Sequence, residues 1–259
     1  MNKNIFCLLL VIILIWSCKN NSTTLKKNKD IKFETINIEK NFNPDSTEDS
    51  TNFIISYVKI SDFGKKNIAD LINKDILKLI LTDEDGSLYQ TTDELINSFF
   101  NGYKSFMGEF PEISIPWATE KKVSVISALN NTICIGYNVY YSTGGAHPNY
   151  YTNYYNYNIV TGNILTLKDI VINDKMDSLL KIAESKFRII KEIPDGEEYE
   201  TIGFTFPDGV FYLSNNFYFT EDKIVFYYNT YEIAPYVLGP TEIEIDLKDL
   251  KEIINFSNL

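Results

Sequence analysis

Two tyrosine-rich segments flank a short glycine turn between residues 133 and 160, and this pattern constrains the fold more than any other part of the sequence. The turn reads Gly144-Gly145-Ala146-His147-Pro148 and holds the single histidine of the chain. Its flanks alternate like β-strands, in which residues two apart share one face of a sheet. Glycine and proline favour turns between such strands. The sequence therefore predicts a β-hairpin that presents tyrosine on both faces.

The N-terminal residues have the composition of a bacterial lipoprotein signal. Lys3 precedes an apolar run over residues 5–16, which is short for a membrane-spanning helix. Ser17 and Cys18 follow, and a small residue before a cysteine is typical of a lipoprotein cleavage site. We predict a signal peptide over residues 1–17, a lipid on Cys18 that anchors the protein to a membrane, and a flexible polar tether over residues 18–30. The alternatives are a plain signal peptide and an uncleaved anchor. The tether has no acidic run, which favours an envelope protein that faces the periplasm.

Charge and cysteine content exclude several classes of function. The formal net charge is −11 at pH 7, which repels nucleic acid and favours cationic partners. Arg188 is the only arginine, so the chain has no arginine cluster for phosphate recognition. Cys134 lies in an apolar strand pattern, and we expect a buried thiol there. One histidine and few cysteines leave too few ligands for a zinc site, so we expect neither a metal nor a cofactor.

Hydrophobic periodicity predicts an α+β protein built from two mixed units. In residues 31–163, two strands precede helices over residues 65–81 and from Thr91, and three strands follow. The residues from Thr91 to Glu94 have the spacing of a capping box. In residues 164–259, the same periodicity predicts a helix over 174–193, strands over 210–219, 223–231 and 241–247, and a short helix over 248–254. We expect antiparallel sheets with helices packed on one face.

Three motifs together resemble a known family. The first is the hairpin turn, the second is Thr161-Gly162 followed by Leu165 and Leu167, and the third is Tyr231-Glu232-Ile233-Ala234-Pro235-Tyr236 with Gly239. Their order resembles the paired extracytoplasmic domains of PdaC-like and RsiV-like proteins, which are domains of unknown function, over about residues 31–256. In that family the pair accompanies a peptidoglycan deacetylase domain in one protein and forms a lysozyme-binding sensor in another. The resemblance implies an envelope module that contacts the cell wall or a protein that attacks it.

His147 has two interpretations. A catalytic histidine needs a nucleophile or an orienting carboxylate, and no neighbour in sequence supplies one. The other interpretation is structural: the ring bonds a backbone carbonyl and fixes the turn. We favour the structural role for the motif residues as a group, which are Gly144, Gly145, His147, Pro148, Tyr231, Pro235 and Gly239. We also expect the third motif to pack against the hairpin turn.

The tyrosines of the hairpin are the candidate binding residues. Tyr150 and Tyr154 share one predicted strand face, and Tyr151 and Tyr155 share the other. An exposed aromatic row stacks on sugar rings or anchors a protein partner. Alternatively, the helices cover one face and the second unit covers the other. The candidate surface consists of Tyr140, Tyr150, Tyr151, Tyr154 and Tyr155.

The sequence favours a binding protein over an enzyme. A glycosidase needs two carboxyl groups that face each other across a cleft, whereas Asp195, Glu197 and Glu198 cluster in one loop. The leading hypothesis is a lipid-anchored, non-catalytic binding or sensing module that contacts cell-wall glycan or a cationic wall-active protein such as lysozyme. One alternative is a wall-acting hydrolase or deacetylase accessory enzyme with its site near His147. Another is an envelope scaffold lipoprotein.

Overall fold

The computed structural model describes residues 23–43, 50–113 and 115–259. The predicted signal peptide and the lipidation residue Cys18 lie outside these residues, so both stay predictions. Within the described ranges, no helix combines the length and the apolar character that a membrane crossing requires.

The first unit is a five-stranded sheet interrupted by a helical pair. Its elements are β1 (Lys32–Phe42), β2 (Thr51–Asp62), α1 (Lys66–Leu81), α2 (Thr92–Glu109), β3 (Ala118–Leu129), β4 (Thr132–Ser142) and β5 (Asn149–Asn158). The strands lie in the order β1-β2-β3-β4-β5. Every neighbouring pair is antiparallel, as predicted, except β2 and β3, which are parallel. A parallel pair needs a crossover connection, and α1 and α2 provide it.

Both helices form where the sequence predicts them. Ile68, Ile72, Ile76 and Ile80 make one buried stripe on α1, which packs on β2 and β3. The Thr91 side chain caps α2 by accepting a hydrogen bond from the Glu94 backbone amide at 3.2 Å. The Glu94 carboxylate accepts from the Gln90 amide at 2.9 Å, one residue before the position expected in a capping box. These caps fix where α2 begins beside the sheet.

The second unit packs one long helix on a small antiparallel sheet. Its elements are α3 (Leu167–Ile170), α4 (Met176–Ile190), β6 (Phe217–Phe219), β7 (Lys223–Tyr228) and β8 (Thr241–Asp246), with the strands in the order β6-β7-β8. Helix α4 contacts β8. The α+β class is therefore confirmed. The predicted C-terminal helix over 248–254 is shorter and forms a 3-10 turn over Leu247–Leu250.

The segment before β6 is not a strand, although its sequence alternates. The Tyr228 hydroxyl donates to the Tyr212 carbonyl at 2.7 Å and accepts from the Ser214 amide at 3.2 Å. Phe211 turns inward and packs on the ring of Phe187. Side-chain contacts thus occupy the backbone groups that a longer strand would pair.

The N-terminal segment contradicts part of the predicted tether. Leu25 is buried at 2% exposure and joins the apolar core of the second unit together with Leu129. The Leu25 amide donates to the Glu221 carbonyl at 2.7 Å, and the Asn28 amide donates to the Ala128 carbonyl at 2.8 Å. Residues 23–30 therefore pack on the folded chain, because the Leu25 side chain is buried among apolar residues of both units.

Candidate functional site

The hairpin turn of the first unit contacts the third motif of the second unit. The turn joins β4 to β5, and the imidazole ring of His147 stacks on the ring of Tyr236 with centroids 4.8 Å apart and an interplanar angle of 11°. Tyr236 opens the 3-10 turn Tyr236–Leu238 between β7 and β8. The expected packing of the two motifs is confirmed. The expected partner of the His147 ring was a backbone carbonyl, whereas the structure places an aromatic ring of the other unit against it.

Two more tyrosines complete an aromatic group at this contact, which we call the junction cluster: His147, Tyr150, Tyr231 and Tyr236. Tyr150 meets Tyr236 edge to face at 6.1 Å, and Tyr231 lies 5.5 Å from Tyr236. The cluster is open to solvent, since His147 is exposed and Tyr231 is 60% exposed. Each unit therefore contributes part of one exposed aromatic surface.

The backbone of the third motif is strained at the cluster. Tyr231 has a φ of 68°, in the left-handed region that bulky residues avoid. Gly239 ends the motif at φ 63° and ψ −166°, a conformation open almost only to glycine. A large exposed ring is thus held in an unfavourable conformation, which is a feature of functional sites more than of ordinary loops.

The candidate tyrosines divide between several surroundings. Tyr154 packs against Tyr218 at 4.5 Å and Tyr227 at 5.6 Å, so the second unit covers it. Tyr151 and Tyr155 lie on the opposite face, toward α1, and are half-buried. Burial also raises the pKa of the Tyr151 hydroxyl to about 12. The alternative in which both faces of the hairpin are covered therefore describes these residues.

Tyr140 and Tyr150 remain available on the outer face of the sheet. They pair directly across β4 and β5, and Tyr140 is 39% exposed. Both line a shallow groove of about 180 Å³ together with Glu120 and Lys122. Because Tyr150 also belongs to the junction cluster, this groove continues the exposed aromatic surface.

Two asparagines of the second unit close the edge of the first sheet. The Asn216 side chain accepts from the Tyr154 amide at 2.8 Å and donates to the Thr152 carbonyl at 2.7 Å. The Asn229 side chain accepts from the Thr152 amide at 2.7 Å. Carboxamides here replace the backbone groups of a neighbouring strand, so an edge open to other chains is paired. Nothing local in sequence indicates this pairing.

Comparisons with known proteins identify the two units. Residues 45–150 match the family model described as deacetylase PdaC, and residues 168–248 match DUF3298, a family of unknown function. The chain carries a PdaC-like domain followed by a DUF3298 domain. No curated protein is significantly similar in sequence.

Solved structures of the DUF3298 family share the fold. A member from Bacteroides fragilis has a TM-score of 0.70 and 21% identity, over 87% of this chain and 94% of its own. A member from Pseudomonas aeruginosa has a TM-score of 0.65 and 16% identity, over 88% of this chain and 96% of its own. The alignments span both domains.

The PdaC-like domain contains a buried ion pair that the sequence analysis missed. Lys121 is fully buried, and its ammonium lies 2.9 Å from the Glu84 carboxylate. It also donates to the Thr82 carbonyl at 2.6 Å and to the Tyr137 hydroxyl at 3.4 Å. Strand alternation between Thr119 and Val123 indicates that this lysine faces inward, which was the available signal.

The remaining candidates lie away from the junction. In the DUF3298 domain, the Glu197 carboxylate accepts from the Thr201 hydroxyl at 2.6 Å, and Asp195 and Glu198 are exposed in the same loop. Cys134 of the PdaC-like domain is buried, and burial raises the pKa of its thiol. Among the described residues, no group of three or more metal-ligating side chains lies together.

Proposed function

We propose that this protein is a lipid-anchored binding module of the bacterial envelope and that the junction cluster is its ligand-binding surface. The observation that carries the proposal is Tyr231, a ring kept exposed at 60% in a left-handed conformation. Stability alone favours glycine at such a position. The PdaC-like and DUF3298 pair supports an extracytoplasmic location.

Two ligand classes fit the surface. Exposed tyrosine rings stack on the apolar faces of sugars, which suits peptidoglycan glycan. The formal net charge of −11 suits a cationic wall-active protein such as lysozyme. In either case the rings supply the contact.

Calorimetry with peptidoglycan fragments and with a basic lysozyme tests this proposal. We expect Tyr231→Ala and Tyr236→Ala each to weaken binding of the recognised ligand by about tenfold or more, as hot-spot aromatics do. Ile189→Ala is the matched control, since Ile189 is 70% exposed on α4 and outside the cluster. Binding of neither ligand, or equal loss in the control, contradicts the proposal.

The predicted anchor has its own test. We expect Cys18→Ala to move the protein from the membrane fraction to the soluble periplasmic fraction, because a lipid on Cys18 supplies the attachment. Retention of the variant in membranes contradicts this prediction.

An enzymatic alternative rests on the description of the matched family as a deacetylase. It predicts deacetylation of peptidoglycan fragments that is lost in His147→Ala while the melting temperature is unchanged. A lower melting temperature with no turnover to lose assigns His147 to the contact with Tyr236 instead.

A further inference from the structure

The PdaC-like domain contains a second aromatic site, on the face of the sheet opposite the shallow groove that Tyr140 and Tyr150 line. A pocket of about 380 Å³ lies between α1 and the inward side of β4 and β5. Tyrosine rings form much of its wall, and these are Tyr137, Tyr151, Tyr155 and Tyr157. Tyr137 and Tyr151 meet edge to face at 6.1 Å. The pocket is thus a concavity lined in part by tyrosine rather than a flat surface.

Carboxylates also line this pocket. Asp75 and Asp83 both contribute, together with the ammonium-bearing Lys78. No ion pair among the described residues involves either aspartate. Asp83 accepts hydrogen bonds from the Ser87 amide at 2.7 Å, the Asp85 amide at 3.1 Å and the Tyr89 hydroxyl at 3.0 Å, which fix the position of its carboxylate. The lining therefore carries an excess of negative charge beside tyrosine rings.

The same wall already holds one ammonium group. Lys121 reaches the Tyr137 hydroxyl from behind the pocket, and Glu84 neutralises its charge. Tyrosine oxygens and carboxylates are thus the groups that this part of the fold uses to bind a cation away from water. Because Lys121 is paired with Glu84, Lys78 is the cation of the lining that opposes Asp75 and Asp83, and one negative charge is left over for a group that enters from solvent.

We propose that this pocket binds an organic cation, namely a primary ammonium or guanidinium group on an aliphatic stem. The negative faces of tyrosine rings attract such a cation and pack on its stem. Asp75 and Asp83 accept its hydrogen bonds, which are stronger for a charged donor. The group belongs either to a free amine or to a lysine or arginine side chain of a protein. This site is separate from the junction cluster, so it stands whether or not that cluster binds a ligand.

NMR or calorimetric titration of the purified protein tests the site. The probes are the N-acetyl methylamides of lysine and arginine, with that of norleucine as the neutral match for the stem. We expect saturable binding of the two cations and at least tenfold weaker binding of norleucine. Spermidine represents a free amine and a tri-lysine peptide represents the side chain of a protein. The probe that binds more tightly shows which of these two sources the pocket recognises. Absence of saturation by the cations, or equal binding of norleucine, overturns the proposal.

Substitutions locate the binding. The double variant Asp75→Asn, Asp83→Asn keeps oxygen acceptors and removes both charges, and we expect it to weaken cation binding by at least tenfold. The control variant Asp249→Asn, Glu252→Gln removes the same charge from exposed positions in the DUF3298 domain. Equal weakening in both variants shows that binding depends on net charge alone, and this result overturns the proposed site. Should the pocket variant fold poorly, the comparison of lysine with norleucine on the unmodified protein still decides the question.

Discussion

Tyr231 combines an unfavourable backbone with an exposed ring. Its φ of 68° belongs to a region that costs a residue with a Cβ atom about 1–2 kcal/mol. The ring is 60% exposed, so its packing contributes little to the stability of the fold. We expect Tyr231→Gly to maintain or raise the urea midpoint of unfolding while it weakens ligand binding at the junction cluster.

A matched control separates backbone strain from the ring. Asp208 has a φ of 55° outside the cluster, and Asp208→Gly relieves the same kind of strain without removing an aromatic group. It should raise stability and leave binding unchanged. Unchanged binding in Tyr231→Gly, with wild-type stability, argues that the ring has no role in recognition.

Lys121 is fully buried, and a buried ammonium group is tolerated only when it is paired, here with Glu84. Removing one member of a buried ion pair costs roughly 3–5 kcal/mol because the other charge is left unpaired, whereas replacing both charges by neutral side chains of similar size is far better tolerated. The Glu84 side chain is 23% exposed and regains water, so we expect a loss at the lower end of that range for Lys121→Ala. The double variant Lys121→Met, Glu84→Gln leaves no unpaired charge and should lose much less.

Urea denaturation measures both variants. Lys59→Ala is the control, since the Lys59–Glu34 pair is about half exposed on both sides and should contribute under about 1 kcal/mol. Equal effects of Lys121→Ala and Lys59→Ala contradict the idea that the buried pair stabilises the domain.

At the scale of elements, the edge of β5 depends on two side chains. Asn216→Asp keeps the acceptor for the Tyr154 amide but loses one of the two donors to the Thr152 carbonyl, which Asn229 still bonds at 3.1 Å. The loss of one such hydrogen bond costs about 0.5–1.5 kcal/mol. We expect a stability loss of that size and faster hydrogen exchange at the Thr152 and Tyr154 amides. Asn101→Ala, on the exposed side of α2, should change neither.

What the sequence predicts at this scale is what repeats locally. The isoleucine stripe of α1 and the alternation of β4 and β5 follow from spacing alone, and both form as expected. No local sequence pattern predicts the parallel pairing of β2 with β3 or the contact of Asn216 with β5, because both join residues far apart in the chain. Likewise, alternation assigns Tyr151 and Tyr154 to opposite faces of the sheet. Only the packing of the domains determines how much of each ring is exposed to solvent.

At the scale of the whole molecule, the N-terminal segment bridges the two domains. Leu25 enters the core of the DUF3298 domain, and Asn28 bonds the end of β3 in the PdaC-like domain. The side chain of Lys27 adds an exposed ion pair with Glu221 at 3.1 Å. The segment therefore contacts both domains, and it shortens the spacer to any anchor at Cys18. A fully extended chain from Cys18 to Leu25 spans at most about 25 Å.

We expect Leu25→Ala to lower the free energy of unfolding by about 2–4 kcal/mol, as for other buried leucines replaced by alanine. Leu88→Ala is the matched control, because Leu88 is 54% exposed, and it should have little effect. Deletion of residues 1–22 should leave the melting temperature unchanged, whereas deletion of residues 1–30 should lower it, because only the longer deletion removes Leu25 and the Asn28 hydrogen bond. Equal melting temperatures for the two deletions contradict the bridging role and restore residues 23–30 to a simple tether.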